Sequence, residues 1–129
     1  MIFGIGTDMI EVERVAEKMA KDNGFKELVF SKHEISYCEA KANKYEHYAA
    51  RFAAKEAFYK ALGSGWKNDT AFNEIEIRNN DAGKPEFFFM DRTEITITDM
   101  RLGKISVSLS HLRTIASAIV VIETNDIFI

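Results

Sequence analysis

The stretch that most limits what this chain can fold into runs from about Tyr45 to Leu62, where apolar residues recur at helical spacing, with Ala54, Ala57, Phe58 and Ala61 on one face. Gly63 stands where such a helix stops, because glycine adopts the left-handed backbone that closes a last turn. This is the longest helix the sequence predicts, so the remaining elements have to be arranged around it. Its second half, RFAAKEAFYKALG, carries Arg51, Lys55, Glu56 and Lys60 along one edge. Any soluble residue would serve a purely structural helix at those positions.

On either side of this helix the pattern differs. The opening MIFGIG is a short apolar run ended by glycines and reads as a buried strand, and IEVERVAEKMA then places Val12, Val15, Ala16 and Met19 at helical spacing. Asp8 reads as the N-cap of this first helix, which is expected to begin near Ile10, and Glu11 and Glu13 suit the positive end of its dipole. SKHE at 31–34 has the form of a capping box, with Ser31 bonding the Glu34 N–H and Glu34 reaching back, so a second helix is expected there. Beyond Gly63 the period becomes two. AFNEIEIRN alternates Phe72, Ile75 and Ile77 with polar residues, NNDAG is turn chemistry, and KPEFFFM supplies aromatic strand formers with Pro85 at an edge, which together predict a hairpin. RTEITITDMRLG fits either a strand through Ile95 and Ile97 or a short helix lined by Ile95, Met100 and Leu102. KISVSLSHLRTIASAIVVIE closes as two strands, 104–110 and 115–123, joined through HLRT, and TNDIFI reads as a loose tail. The fold class is therefore α+β, with an N-terminal strand and helices packed on an antiparallel sheet.

Composition bounds the rest. With 129 residues, 47% of them hydrophobic, the chain is expected to form one domain over 1–129. A net charge of −3 argues against a general nucleic-acid partner. Cys38 is alone, which points to a reducing, cytoplasmic setting, and the absence of a basic leader or a long apolar run points away from secretion and membrane insertion. P-loop, zinc and dinucleotide motifs are absent.

Residue physics alone assigns the polar candidates modest roles. Glu56 and Lys60 form a favourable i, i+4 pair worth only about 0.2–0.5 kcal/mol, of the kind common on solvated helix faces. His111, beside Ser110, reads as a hydrogen-bonded loop histidine. Arg14, Lys18 and Lys21 form a basic stripe opposite the core face of the first helix, although Glu13 and Glu17 lie close by.

Taken in order, GIGTDMIEVERV, RFAAKEAFYKALG, FNEIEI followed by GKP, and VSLSH before ASAIVVIE resemble the stand-alone holo-[acyl-carrier-protein] synthases, the small bacterial type of 4′-phosphopantetheinyl transferase, over nearly the whole chain. The resemblance implies transfer of the phosphopantetheine arm of coenzyme A to a serine of an acyl carrier protein, releasing adenosine 3′,5′-bisphosphate. It matches Asp8 and Glu56 to the two carboxylates that hold Mg²⁺, with Mn²⁺ a possible substitute, and Lys60 to a cation facing the phosphates. Such chemistry requires hard oxygen ligands and neutralisation of a diphosphate. By the same resemblance Ser110 and His111 touch coenzyme A, Arg51 and Lys55 hold phosphate or buttress the site, and Lys84 of GKP is a further candidate. Arg14, Lys18 and Lys21 are expected to dock the carrier protein, and the assembly is expected to be a homotrimer with sites at subunit boundaries. Where family members often carry a basic pair for the 3′-phosphate, this chain has KANKYEH, and the resemblance carries that role to no one of Lys41, Lys44 and His47. The general base stays open between a carboxylate and water at the ion. Two other classes remain: a metal-dependent hydrolase of nucleotide diphosphates, and a binding module without catalysis.

Overall fold

A computed structural model describes residues 1–63 and 69–125, and the end of the expected loose tail, 126–129, lies outside that range. In chain order the elements are strand β1 (Ile2–Glu11), helices α1 (Val12–Ala20), α2 (Phe25–Val29), α3 (Lys32–Glu39) and α4 (Lys44–Leu62), strands β2 (Ile75–Asn79) and β3 (Pro85–Phe89), helix α5 (Asp91–Asp99), and strands β4 (Leu102–His111) and β5 (Ile115–Thr124). The strands make two antiparallel sheets, one of order β1-β5-β4 and one of β2-β3. The N-terminal strand thus completes a sheet whose other members come from the end of the chain.

Helix α4 lies at the centre. From Tyr48 to Leu62 every residue is buried except Glu56 and Lys60, the signature of a helix enclosed on nearly all sides rather than one with a single apolar face. It packs against β1, β4, β5, α1 and α3, and Gly63 closes it in the left-handed conformation at φ 80°. Against β1 the approach is as close as backbones allow. A Cβ on Gly4 would stand 1.9 Å from Ala61 O, and one on Gly6 1.9 Å from Ala57 O. Only glycine fits at these two positions.

Four expectations change. Asp8 lies inside β1, paired with Ala118, and does not cap a helix. α1 begins two residues later than the sequence suggests, behind Glu11, which makes no side-chain capping bond. The Val12 N–H is satisfied instead by Thr114 O at 2.9 Å, so a tertiary contact replaces the cap. Phe72 belongs to a single 3₁₀ turn, Phe72–Glu74, ahead of β2. Thr124 is not part of a loose tail, because it ends β5 and its N–H donates to Met1 O at 2.7 Å.

The capping box at Ser31 and Glu34 forms with both bonds present, and the hairpin β2-β3 forms with Asn79 opposite Pro85. The ambiguous segment resolves as helix α5, with Ile97 buried and Ile95 turned to solvent. Among the described residues no helix is long and apolar enough to cross a membrane.

Candidate active site

The charged edge of α4 divides in two. Arg51 and Lys55 point into the protein, whereas Glu56 and Lys60 stay at the surface. Lys55 is therefore corrected as a phosphate-contacting residue. Its ammonium is fully buried and donates to Val29 O at 2.6 Å, Glu34 Oε1 at 2.7 Å and Phe72 O at 2.8 Å. All three protons of an ammonium are then committed inside the chain. Burial pushes the Lys55 pKa down and the Glu34 charge opposes the shift. Glu34 is equally buried and accepts in addition from Ser31 N at 3.0 Å and Ile77 N at 2.9 Å. One buried pair thus ties α2, α3, the 3₁₀ turn and β2 to the central helix, which leaves Lys55 the buttressing role alone.

Asp8 and Lys60 meet across the β1–α4 seam. Lys60 Nζ donates to Asp8 Oδ1 at 2.9 Å and to Thr7 O at 3.0 Å. The Asp8 side chain keeps 16% of its exposure and that of Lys60 56%. Glu56, one turn before Lys60 on α4, has its pKa raised first by burial and then by the Asp8 charge, while Lys60 and Lys18 pull it back. The two carboxylates are therefore electrostatically close, with cations beside them. Asp8 and Lys60 open onto a cavity of about 430 Å³ whose further lining includes Met9, Ser110, Ser117 and Ile119. Hard carboxylate oxygens from a strand and a helix, with the Thr7 carbonyl alongside, suit a small divalent cation. Among the described residues no group of three or more potential ligands converges. An ion held here would keep positions for water and substrate oxygens, as Mg²⁺ does.

The second cluster surrounds Arg51. Its guanidinium stacks on the Tyr37 ring, 4.2 Å from the centroid, and Nε and Nη2 are buried without a hydrogen-bond partner. Arg51 also lines a cavity of about 200 Å³ together with Tyr37, His47, Asn79, Gly83 and His111. His111 Nδ1 lies 2.9 Å from Glu46 Oε1, and the His47 ring stands 5.1 Å from the His111 ring. Burial first, then the His111 and Arg51 charges, lowers the His47 pKa. Unpaired buried guanidinium nitrogens are costly unless an acceptor arrives, so this pocket has the chemistry of an anion site.

The other sequence candidates fall around these clusters. Ser110 and His111 are neighbours on β4 and so face opposite sides of the sheet: Ser110 lines the Asp8 cavity and His111 the Arg51 cavity. Lys84 is exposed on the hairpin turn, between Gly83 and Pro85, which both line the Arg51 cavity. Arg14 and Lys18 are exposed on α1, with the Lys18 ammonium over the Phe25 and Phe52 rings at 5.7 and 5.6 Å. Lys21 lies past the end of α1 in extended backbone, so it is not in helical register with the other two. Tyr37, Glu46 and Asn79 were not among the sequence candidates. Glu46 and His47 adjoin in KANKYEH, but their convergence with His111 depends on a contact 65 positions away.

An acid–lysine pair across a strand–helix seam, with an unsatisfied arginine in a neighbouring pocket, defines an α+β domain suited to a phosphate-rich substrate. The model of the 4′-phosphopantetheinyl transferase superfamily matches residues 4–115. The chain belongs to that superfamily. It is 49% identical over 128 residues to the holo-[acyl-carrier-protein] synthase of Cytophaga hutchinsonii, covering 97% of this chain and 100% of that protein. Its fold matches the crystal structure of the holo-[acyl-carrier-protein] synthase of Neisseria meningitidis with a TM-score of 0.87 at 31% identity, over 96% of this chain and 100% of that one. The synthase from Bacillus anthracis, solved in complex with CoA (3′,5′-ADP), matches with a TM-score of 0.79 at 33% identity, covering 96% and 98% of the two chains.

Proposed function

We propose that this protein transfers the 4′-phosphopantetheine group of coenzyme A to a serine hydroxyl of an apo acyl carrier protein. The observation that carries the reading is the Lys60–Asp8 pair across the β1–α4 seam, with Glu56 one turn before Lys60 on α4, in a chain whose relatives over nearly their full length are holo-[acyl-carrier-protein] synthases. The serine oxygen attacks the phosphorus that bears the pantetheine arm. The bond from that phosphorus to the bridging oxygen breaks, and adenosine 3′,5′-bisphosphate departs with the electron pair. The serine proton passes to a carboxylate at the seam or to water there as the new ester forms.

Asp8 and Glu56 would hold Mg²⁺, which neutralises diphosphate charge when bound. Lys60 stabilises the charge that develops on the phosphoryl oxygens. Arg51, whose buried Nε and Nη2 have no partner, accepts a phosphate of coenzyme A in the smaller cavity, with His111 beside it and Lys84 at the rim. Ser110 lines the wall of the larger cavity, where the pantetheine arm enters. Arg14 and Lys18, both exposed on α1, with the Lys18 charge acting on Glu56, meet the acidic face of the carrier protein and speed its encounter, and Lys21 extends that surface beyond the helix.

The assembly we propose is a homotrimer. The face of the β1-β5-β4 sheet turned away from α4 exposes Phe3, Ile5, Met9, Ile115 and Ile119, an apolar surface that favours coverage by another copy. The setting is the cytoplasm, in keeping with a lone, buried Cys38.

The deciding experiment is intact-mass spectrometry of an apo acyl carrier protein incubated with the enzyme, coenzyme A and Mg²⁺. A gain of one phosphopantetheine, lost with Asp8→Ala, with Glu56→Ala or with a chelator, is expected. Consumption of coenzyme A without a mass gain would identify a hydrolase instead, and no change in either would identify a binding module.

A further inference from the structure

Lys60 does more at this seam than sit beside an acid. Its ammonium is anchored at two points of β1, the Asp8 carboxylate at 2.9 Å and the Thr7 carbonyl at 3.0 Å. A divalent cation held by Asp8 draws on the same carboxylate. Two cations on one carboxylate repel each other. The lysine carries one charge on a flexible stem that is more than half exposed, so it is the partner able to move. We propose that Lys60 is the resident counter-ion of Asp8, which a divalent ion must displace, and that it thereby sets the metal affinity of the free protein. The inference rests on the metal-holding part of the function proposed above.

A second consequence follows. A displaced ammonium needs an anion, and the diphosphate of coenzyme A supplies one. Metal and coenzyme A then bind cooperatively, each tighter in the presence of the other by the same factor. Lys60 strengthens the link that the attraction between the ion and the diphosphate already makes, because it gives up a carboxylate for the first ligand and gains a phosphate from the second.

The test is Mn²⁺ binding to the full chain, followed by electron paramagnetic resonance, with and without coenzyme A. Lys60→Met removes the charge and keeps the stem, and Lys60→Arg keeps the charge. Removing one competing, partly solvated cation is expected to tighten Mn²⁺ binding to the free protein about 3- to 10-fold. The factor by which coenzyme A tightens Mn²⁺ should be smaller in Lys60→Met than in the wild type and persist in Lys60→Arg. Unchanged or weaker Mn²⁺ binding in Lys60→Met would overturn the inference. If Asp8→Ala still abolished binding in that case, the metal reading itself would stand. Absence of Mn²⁺ binding in every variant, with or without coenzyme A, would overturn both.

Discussion

Glu34→Gln should be the most revealing single change in this protein. The wild-type carboxylate accepts from Lys55 Nζ and Ser31 N through Oε1 and from Ile77 N through Oε2, at 2.7, 3.0 and 2.9 Å. A carboxamide keeps the shape but turns one acceptor into a donor, so an NH₂ must face either the ammonium or a backbone N–H. It also leaves the Lys55 charge buried without a countercharge. Breaking one partner of a buried pair costs about 3–5 kcal/mol, against a total stability of roughly 5–15 kcal/mol for a domain of this kind. In urea, with a slope of about 2 kcal/mol per M, the midpoint should fall by about 1.5–2.5 M. Lys55→Met should cost a similar amount, and the double variant much less than the sum, because neither charge is then orphaned. Activity per folded molecule and the coenzyme A KM should change little in Lys55→Met at low temperature, since that ammonium is spent inside the core. A loss below about 1 kcal/mol in Glu34→Gln, or strict additivity in the double variant, would refute the reasoning.

Other consequences are as direct. Gly6→Ala places a Cβ 1.9 Å from Ala57 O, so it should destabilise the fold by more than about 2 kcal/mol, read by thermal melting, and lower turnover in whatever fraction folds. Burial pushes the Cys38 thiol up to about 12, so an aromatic disulfide reagent at pH 8 should modify no thiol of the native described core and one in urea. His47, lowered below its ordinary 6.5 by burial and by the His111, Arg51 and Lys41 charges, with Glu46 opposing, takes up its proton later than the unfolded chain does. Stability should therefore decline as pH falls from about 6.5 into the mildly acidic range, and His47→Gln should flatten that decline in denaturant midpoints.

Helices α1, α3 and α4 and the hairpin were legible because their signals are local, whereas α2, Phe25–Val29, was not expected and the α5 segment fits strand and helix alike. A capping box, a helix-stopping glycine and the Asn-Asn-Asp-Ala-Gly turn each act over a few residues. Asp8 was misread because the usual strand logic is inverted in β1: its core face carries glycines and its open face carries Phe3, Ile5 and Met9. An acid following glycines then looks like a cap, when it is the first side chain after them that reaches toward α4. Lys55 was misplaced for a related reason. Spacing along α4 groups it with Arg51, Glu56 and Lys60, but spacing cannot report that Glu34 waits across the core. The transferase family and the Asp8–Glu56–Lys60 set came from ordered motifs, whose physical sense appears only when strand and helix are brought together. The division of Ser110 and His111 between two cavities follows from strand alternation and was readable in principle from VSLSH.

The contact of Gly4 and Gly6 with the carbonyls of Ala61 and Ala57 makes the spacing of the two acids a matter of main chain alone. Asp8 stands two residues after Gly6, and Glu56 one before Ala57. At Gly4 and Gly6 no strand side chain stands between β1 and the helix to act as a spring. Rotamer changes and cavities elsewhere in the core can loosen the domain while the gap between the carboxylates stays gauged by backbone against backbone. A drifting sequence would keep this gauge as long as it kept two hydrogen atoms where other residues have a methyl group.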